Sequence, residues 1–156
     1  MRGTEFIAEV LHKPPFSKMH PAMAAFFKDY LGHEKVVEFE GMHVLNTHFP
    51  PFPSRAFERM AAQFNTIGTA TERSLYSVTL AVTNRCPYAC WHCYNAGRNQ
   101  HDLSEPELLD IVRQLRELKT VHVTLTGGEP LLREELERIA QSFGDQTYLS
   151  LNTTGW

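Results

Sequence analysis

The chain has 156 residues, of which 42% are hydrophobic and 21% charged, a composition typical of a globular protein. Its formal net charge of −3 does not indicate a nucleic-acid-binding surface, and no apolar run approaches the length of a membrane span. There are three cysteines, and none is distant enough in sequence to build a disulfide framework. Reduced thiols of this kind indicate a cytoplasmic protein.

The first 73 residues are rich in histidine, phenylalanine and proline and carry no motif that assigns them a role. The pattern predicts a helix over residues 21–31, ended by Gly32, and two short strands on either side of Glu40 and Gly41. Ser54 is expected to cap a further helix with an apolar face formed by Phe57, Met60, Ala61 and Phe64. Residues 1–73 are therefore predicted to form a small α+β extension, with a linker at residues 65–73.

The pattern of apolar and polar residues changes at residue 74. Residues 76–82 alternate as a strand, and Ser104 and Glu107 form a capping box at the start of a helix. A second strand is expected at residues 121–125, a second helix from Leu132 to a stop at Gly144, and a third strand at residues 148–151. The order β-α-β-α-β predicts an α/β segment with parallel strands over residues 74–156.

The three cysteines lie within eight residues, between the first strand and the first helix of this segment, in the pattern C-x3-C-x2-C. Thiolates are soft ligands that hold iron–sulfur clusters or zinc. Cys86, Cys90 and Cys93 are suited to bind three irons of a [4Fe–4S] cluster, which leaves the fourth iron open to a small molecule. A zinc knuckle completed by His92 or His101 is the alternative, although structural zinc sites usually add a second, distant pair of ligands.

A second polar motif, Gly127-Gly128-Glu129-Pro130, follows the second predicted strand. The glycines lack Cβ atoms, so a ligand can approach their backbone closely. The carboxylate of Glu129 can accept hydrogen bonds from an ammonium group, and Pro130 can start the next helix. The alternative is a tight strand-to-helix turn with a solvated glutamate.

These two motifs resemble the cluster loop and the GGEP motif of radical S-adenosylmethionine (SAM) enzymes, and Asn152-Thr153-Thr154-Gly155 is similar to the end of that family's third strand. The resemblance covers roughly residues 75–156. It implies that the cysteines hold a [4Fe–4S] cluster and that His92 contacts the adenine of SAM rather than only packing the loop. It also implies SAM contacts for the residues after the second and third strands, namely Gly127, Gly128, Glu129, Pro130, Asn152 and Thr153, of which the last two could equally form a simple terminal turn.

The function implied by the resemblance is reductive cleavage of SAM to a 5′-deoxyadenosyl radical, which abstracts hydrogen from a substrate that the sequence does not identify. Such an enzyme, of oxidoreductase, transferase or lyase type, has a flavodoxin- or ferredoxin-like electron donor as its partner. No side chain is assigned as catalytic, since the chemistry belongs to the cofactors.

Residues 74–156 contain about half of the strands expected for the partial βα barrel of this family. A complete βα barrel needs roughly 200 residues or more. We therefore expect the chain to be a truncated portion of such an enzyme. The alternative function is a non-catalytic iron–sulfur or zinc-binding module.

Overall fold

A computed structural model describes residues 1–66, 74–97 and 100–155. The chain divides into two compact units, Met1–Ser74 and Leu75–Trp156. Most of the predicted linker, residues 67–73, lies outside the described residues.

Within residues 1–66, the first unit contains three α-helices, a 3-10 turn at Phe16–Lys18 and a short hairpin, which confirms the predicted small α+β segment. Its elements are α1 (Gly3–Val10), α2 (Pro21–Gly32), β1 (Val37–Phe39), β2 (Met42–Val44) and α3 (Arg55–Asn65). α1 buries Phe6, Ile7 and Val10 and was not predicted from the sequence.

Local sequence explains two of these elements. β1 and β2 are antiparallel, and Glu40 and Gly41 between them have φ values of 49° and 75°, the left-handed conformation of a two-residue hairpin turn. The predicted cap of α3 is confirmed, because the Ser54 hydroxyl accepts a hydrogen bond of 3.1 Å from the Phe57 amide. The interior of the unit is a cluster of aromatic rings in edge-to-face and tilted contact, formed by Phe6, Phe16, Phe27, Phe52 and Phe57.

The second unit is an α/β segment with a parallel sheet in the order β3-β4-β5, as predicted. Its elements are β3 (Ser77–Ala81), α4 (Glu105–Glu117), β4 (His122–Thr126), α5 (Leu136–Ser142) and β5 (Tyr148–Leu151). At the start of α4, the backbone N–H and the hydroxyl of Ser104 both donate to the Glu107 carboxylate, at 2.8 and 2.6 Å. The registers pair Ala81 with Thr126 and Leu125 with Leu151, so the three strands end at the same edge.

One predicted boundary in this unit is wrong. The helix expected from Leu132 begins at Leu136, and Pro130–Leu132 forms a separate 3-10 turn. The side chain of Glu129 accepts the amide of Leu131, and Arg133 has an extended backbone with ψ of 112°. The turn and α5 are therefore not continuous.

The two faces of the sheet differ in chemistry. Alternate residues of β3 and β4 pack against the helices in one apolar cluster, formed by Leu80, Val82, Val123, Leu125, Leu108, Val112, Leu115, Ile139 and Phe143. The other face of β4 carries His122, Thr124 and Thr126, and the His122 Nε2 atom lies 2.9 Å from the Ser150 hydroxyl. Among the helices of the described ranges, none combines the length and apolarity that crossing a membrane requires.

Leu108 provides a test of the packing in this cluster. It is fully buried, so Leu108→Ala should lower the free energy of unfolding by about 2–5 kcal/mol, since it removes apolar contacts and leaves a cavity. Urea denaturation followed by circular dichroism measures the change. The matched variant Leu103→Ala, at a side chain that is 41% exposed, should cost about 0.5 kcal/mol or less. Equal losses for the two variants would contradict the packing described.

Candidate functional site

The candidate site lies where β3 and β4 end. Thr83, Asn84 and Arg85 lead from β3 into the cysteine loop, which we define as residues 83–102. The segment Gly127–Pro130, called here the GGEP turn, follows β4 directly. Because Ala81 is paired with Thr126, both segments leave the sheet at the same edge. Carboxyl ends of parallel strands are where α/β proteins bind their ligands.

The three cysteines are all free thiols, with Cys86 and Cys90 exposed and Cys93 partly buried. They line a single open cavity of about 350 Å³, and Gly128 of the GGEP turn lines the same cavity. Within residues 1–66, 74–97 and 100–155, no three His, Cys, Asp or Glu side chains are drawn together as a metal-binding group. The loop thus offers three soft donors to one space without gathering them into coordination geometry. Such a donor set fits an iron–sulfur cluster.

His92 and Trp91 are both exposed residues of the cysteine loop. Their rings meet edge-to-face with centroids 5.0 Å apart, and Trp91 is 95% exposed. His92 is not among the described residues that line the cysteine cavity. Its adenine contact therefore stays a prediction.

The base of the cysteine loop is closed by Asp102, a residue that the sequence analysis missed. Its carboxylate accepts the Thr83 hydroxyl at 2.5 Å and the Asn84 amide at 2.6 Å. Burial raises the pKa of Asp102, but these hydrogen bonds and the positive charge of Arg85 outweigh burial, so the pKa is lowered. Asp102 lies 18 and 19 residues after Asn84 and Thr83 in the sequence. Neither helical nor strand periodicity predicts a contact across such a distance.

The two glycines of the GGEP turn lie against the backbone of the cysteine loop. The Gly128 amide donates to the Thr83 carbonyl and the Glu129 amide to the Arg85 carbonyl, both at 2.8 Å. A Cβ atom at Gly128 would lie 2.2 Å from the Arg85 carbonyl oxygen, and one at Gly127 would lie 2.3 Å from that of Thr83. The close approach that the sequence analysis attributed to a ligand is thus made by the chain itself. Ligand contact at these glycines remains a prediction.

Glu129 is fully buried, so the alternative of a solvated glutamate is wrong. Its carboxylate accepts four hydrogen bonds, from the Leu131 amide, the Thr153 hydroxyl, and the amide and hydroxyl of Thr154, at 2.5–3.0 Å. Burial raises the pKa of Glu129, but these donors outweigh burial and lower the pKa to about 2. The carboxylate therefore links the GGEP turn to the segment that follows β5.

The structure brings the predicted site residues into two groups. Cys86, Cys90, Cys93 and Gly128 share the cavity, and Glu129 contacts Thr153. Asn152 instead continues the ladder between β4 and β5, because its amide donates to the Leu125 carbonyl at 2.9 Å. Pro130 is buried in the 3-10 turn.

The contact between the glycines and the loop can be tested at Gly128. Gly128→Ala should lower the free energy of unfolding by about 1–3 kcal/mol, because the Cβ atom would overlap backbone that has to shift. Urea denaturation measures the loss. In the matched variant Gly32→Ala, the nearest atom to the new Cβ is 3.9 Å away, so stability should be unchanged or should rise by up to about 1 kcal/mol. A neutral Gly128→Ala would show that the two backbones do not meet as described.

The buried carboxylate of Glu129 predicts a pH dependence. Its pKa in the folded chain is about 2, below its ordinary value of 4.5, so its stabilising effect is complete above about pH 4.5 and is lost as the pH falls towards 2. Glu129→Gln should therefore destabilise the chain at neutral pH, and this deficit should shrink between pH 4.5 and 2. Denaturation at a series of pH values measures the difference between the two proteins. The matched variant Glu134→Gln, at an exposed glutamate, should change the free energy of unfolding by about 0.5 kcal/mol or less. A pH-independent deficit for Glu129→Gln would contradict the ionised carboxylate.

Comparison with known proteins shows what the second unit is similar to in sequence. The sequence profile of the radical SAM superfamily matches residues 80–155, which include the end of β3, the cysteine loop, the GGEP turn and β5. No solved structure matches the chain.

Curated relatives match about the same half. A probable GTP 3′,8-cyclase of Methanococcus maripaludis (strain C6) is 33% identical over 88 residues, covering 53% of this chain and 30% of the relative. Proteins of the same name from Archaeoglobus fulgidus and Halobacterium salinarum (strain R1) are 31% and 37% identical, over 29% and 26% of their lengths. The chain thus spans less than a third of these relatives. Through residues 80–155, the chain belongs to the radical SAM superfamily.

Proposed function

We propose that this chain is the cluster-binding and SAM-binding portion of a radical SAM enzyme. The observation that carries the proposal is the cavity in which Cys86, Cys90 and Cys93 meet Gly128 of the GGEP turn. A cofactor that bridges a cluster and a polar turn needs both walls in one space. Family membership supports the identity of the two cofactors, a [4Fe–4S] cluster and SAM.

In this proposal the three cysteines hold the cluster as thiolates. When bound, the cluster supplies the electron for reductive cleavage of SAM to a 5′-deoxyadenosyl radical. The chain itself provides the thiolates, the loop that carries them and the GGEP turn opposite.

We assign the remaining SAM contacts to His92 at the adenine, to Gly127, Gly128, Glu129 and Pro130 at the amino group, and to Asn152 and Thr153 along the pocket. Binding of the SAM amino group by Glu129 requires a rearrangement, because the carboxylate already accepts four hydrogen bonds. A carboxylate has about four acceptor positions, so an ammonium group reaches it by displacing one of those donors. The hydroxyls of Thr153 and Thr154 are the donors that can rotate away.

We assign no substrate to this chain. The printed name of its relatives concerns GTP, but the matched part covers 26–30% of their lengths, and none of the contacts described selects a nucleotide. The reaction class is proposed only as one of three types, namely oxidoreductase, transferase or lyase. A flavodoxin- or ferredoxin-like protein as electron donor is a further proposal, supported by the match to the radical SAM superfamily. A cytoplasmic location is also proposed, supported by the three free thiols.

The test of this function is anaerobic reconstitution of the full chain with iron and sulfide. We expect about one [4Fe–4S] cluster per chain, measured by iron and sulfide analysis and by the visible absorbance. Cys90→Ala should abolish the cluster, because it removes one of three thiolates. A Cys90→Ala protein that keeps the full absorbance would overturn the assignment.

A matched histidine variant distinguishes the zinc-binding alternative from cluster binding. His101 is exposed and is one of the two histidines that would complete a zinc site. His101→Ala should leave the iron and sulfide content unchanged if the function proposed is right. One zinc per chain that is lost in His101→Ala or His92→Ala, with no sulfide bound, would favour the non-catalytic module.

A further inference from the structure

We infer that the hydroxyl of Tyr94 is a positioning group that fixes Cys93 relative to the GGEP turn. Tyr94 follows Cys93 directly, and its Oη atom reaches the end of β4. It donates to the Gly127 carbonyl at 3.1 Å and lies 3.1 Å from the Thr126 hydroxyl. These partners are 33 and 32 residues away in sequence, so the contact joins two separate walls of the cavity. Its role in cofactor binding rests on the function proposed above.

The two contacts are chemically compatible. A tyrosine hydroxyl has one hydrogen to donate and lone pairs to accept with. Tyr94 donates its hydrogen to the Gly127 carbonyl, and the Thr126 hydroxyl can donate to Oη in turn. Thr126 itself is 6% exposed, so its side chain is held in place by the strand and its surroundings.

Burial does not explain the position of the ring. Tyr94 is 63% exposed, whereas the environment of its hydroxyl is partly buried. An exposed aromatic side chain gains little from leaving water, and ordering it costs rotamer entropy. The two hydrogen-bonding contacts of its hydroxyl therefore contribute to holding the side chain in place.

Backbone hydrogen bonds in the loop connect the position of Tyr94 to that of Cys93. The Cys93 amide donates to the Cys90 carbonyl and the Ala96 amide to the Cys93 carbonyl, both at 3.2 Å. These bonds hold the backbone on both sides of Tyr94. Cys93 is also the one of the three cysteines that is partly buried, while the other two are exposed.

The consequence for binding is geometric. Cys93 and Gly128 both line the cavity, and the Tyr94 hydroxyl connects the residue after one to the residue before the other. A ligand that touches both walls binds best when their spacing is fixed in advance. Tyr94 supplies such a fixed spacing without touching the ligand.

The first experiment uses the chain without cofactors. Tyr94→Phe keeps the ring and removes the hydroxyl, and the alkylation rate of each cysteine by N-ethylmaleimide is then followed by mass spectrometry of its peptide under anaerobic conditions. We expect the rate at Cys93 to rise by about two- to tenfold, the range that corresponds to loss of one neutral hydrogen bond. The rate at Cys86 should stay the same, because the loop base beside it is held by Asp102.

Three variants control this measurement. Tyr148→Phe makes the same chemical change on β5 of the same unit and should leave all three rates unchanged. Thr126→Val removes the partner hydroxyl and should raise the Cys93 rate in part. The double variant Tyr94→Phe with Thr126→Val should not exceed Tyr94→Phe alone, because the two groups share one contact. An unchanged Cys93 rate in Tyr94→Phe would overturn the inference.

The second experiment measures SAM binding to the reconstituted chain by equilibrium dialysis. We expect Tyr94→Phe to bind SAM about two- to tenfold more weakly, with the same iron and sulfide content as the unaltered chain. A faster Cys93 rate with unchanged SAM affinity would overturn the role in cofactor binding. If the unaltered chain assembles no cluster, the proposed function fails, while the alkylation rates still decide whether Tyr94 positions Cys93.

Discussion

The close contact between two stretches of backbone, residues 83–85 and the glycines at 127 and 128, is the constraint on which the site depends. Two amide hydrogen bonds of 2.8 Å join the stretches, and side chains are excluded between them. This contact extends the pairing of β3 and β4 beyond the last sheet residues and sends the cysteine loop over the GGEP turn. The cysteines and Gly128 therefore line one cavity, because the pairing of the strands continues into the loops.

Polar side chains complete what the backbone contact begins. Within residues 83–97 and 100–102, the cysteine loop contains no helix or strand, so its backbone groups find hydrogen-bond partners elsewhere. Asp102 accepts the Asn84 amide at the base of the loop, and Tyr94 joins the loop to Thr126 of β4 and to Gly127 of the GGEP turn. Glu129 joins the GGEP turn to the segment after β5. Both carboxylates have lowered pKa values, so they remain ionised acceptors at neutral pH.

Much of the fold and part of the site follow from local sequence. The capping box at Ser104, the hairpin turn at Glu40 and Gly41, and the alternation in β3 are short-range signals, and the structure agrees with them. The cysteine spacing and the GGEP motif identify the family for a similar reason, because they lie in continuous segments. The burial of Glu129 was not predictable, since its acceptors are filled by threonines 24–25 residues later. Asp102 and Tyr94 were missed for the same physical reason: each acts through a contact that no period or motif encodes.

The closure by Asp102 has a consequence for how the loop can change in length. One carboxylate ties residues 83 and 84 to residue 102, so the segment between them is a ring closed at its base. The entropy of closing a flexible ring rises only slowly with the number of residues in it. Insertions beyond Ala96 would therefore disturb the cysteines little, since the Ala96 amide donates a hydrogen bond to the Cys93 carbonyl. Even one residue added between Thr83 and Cys86 would instead alter the direction in which the chain leaves the sheet towards the first thiol. The later part of the loop thus tolerates a change in length, whereas the segment from Thr83 to Cys86 does not. Hydrogen bonds, rather than the ends of helices or strands, set the limit between these two parts.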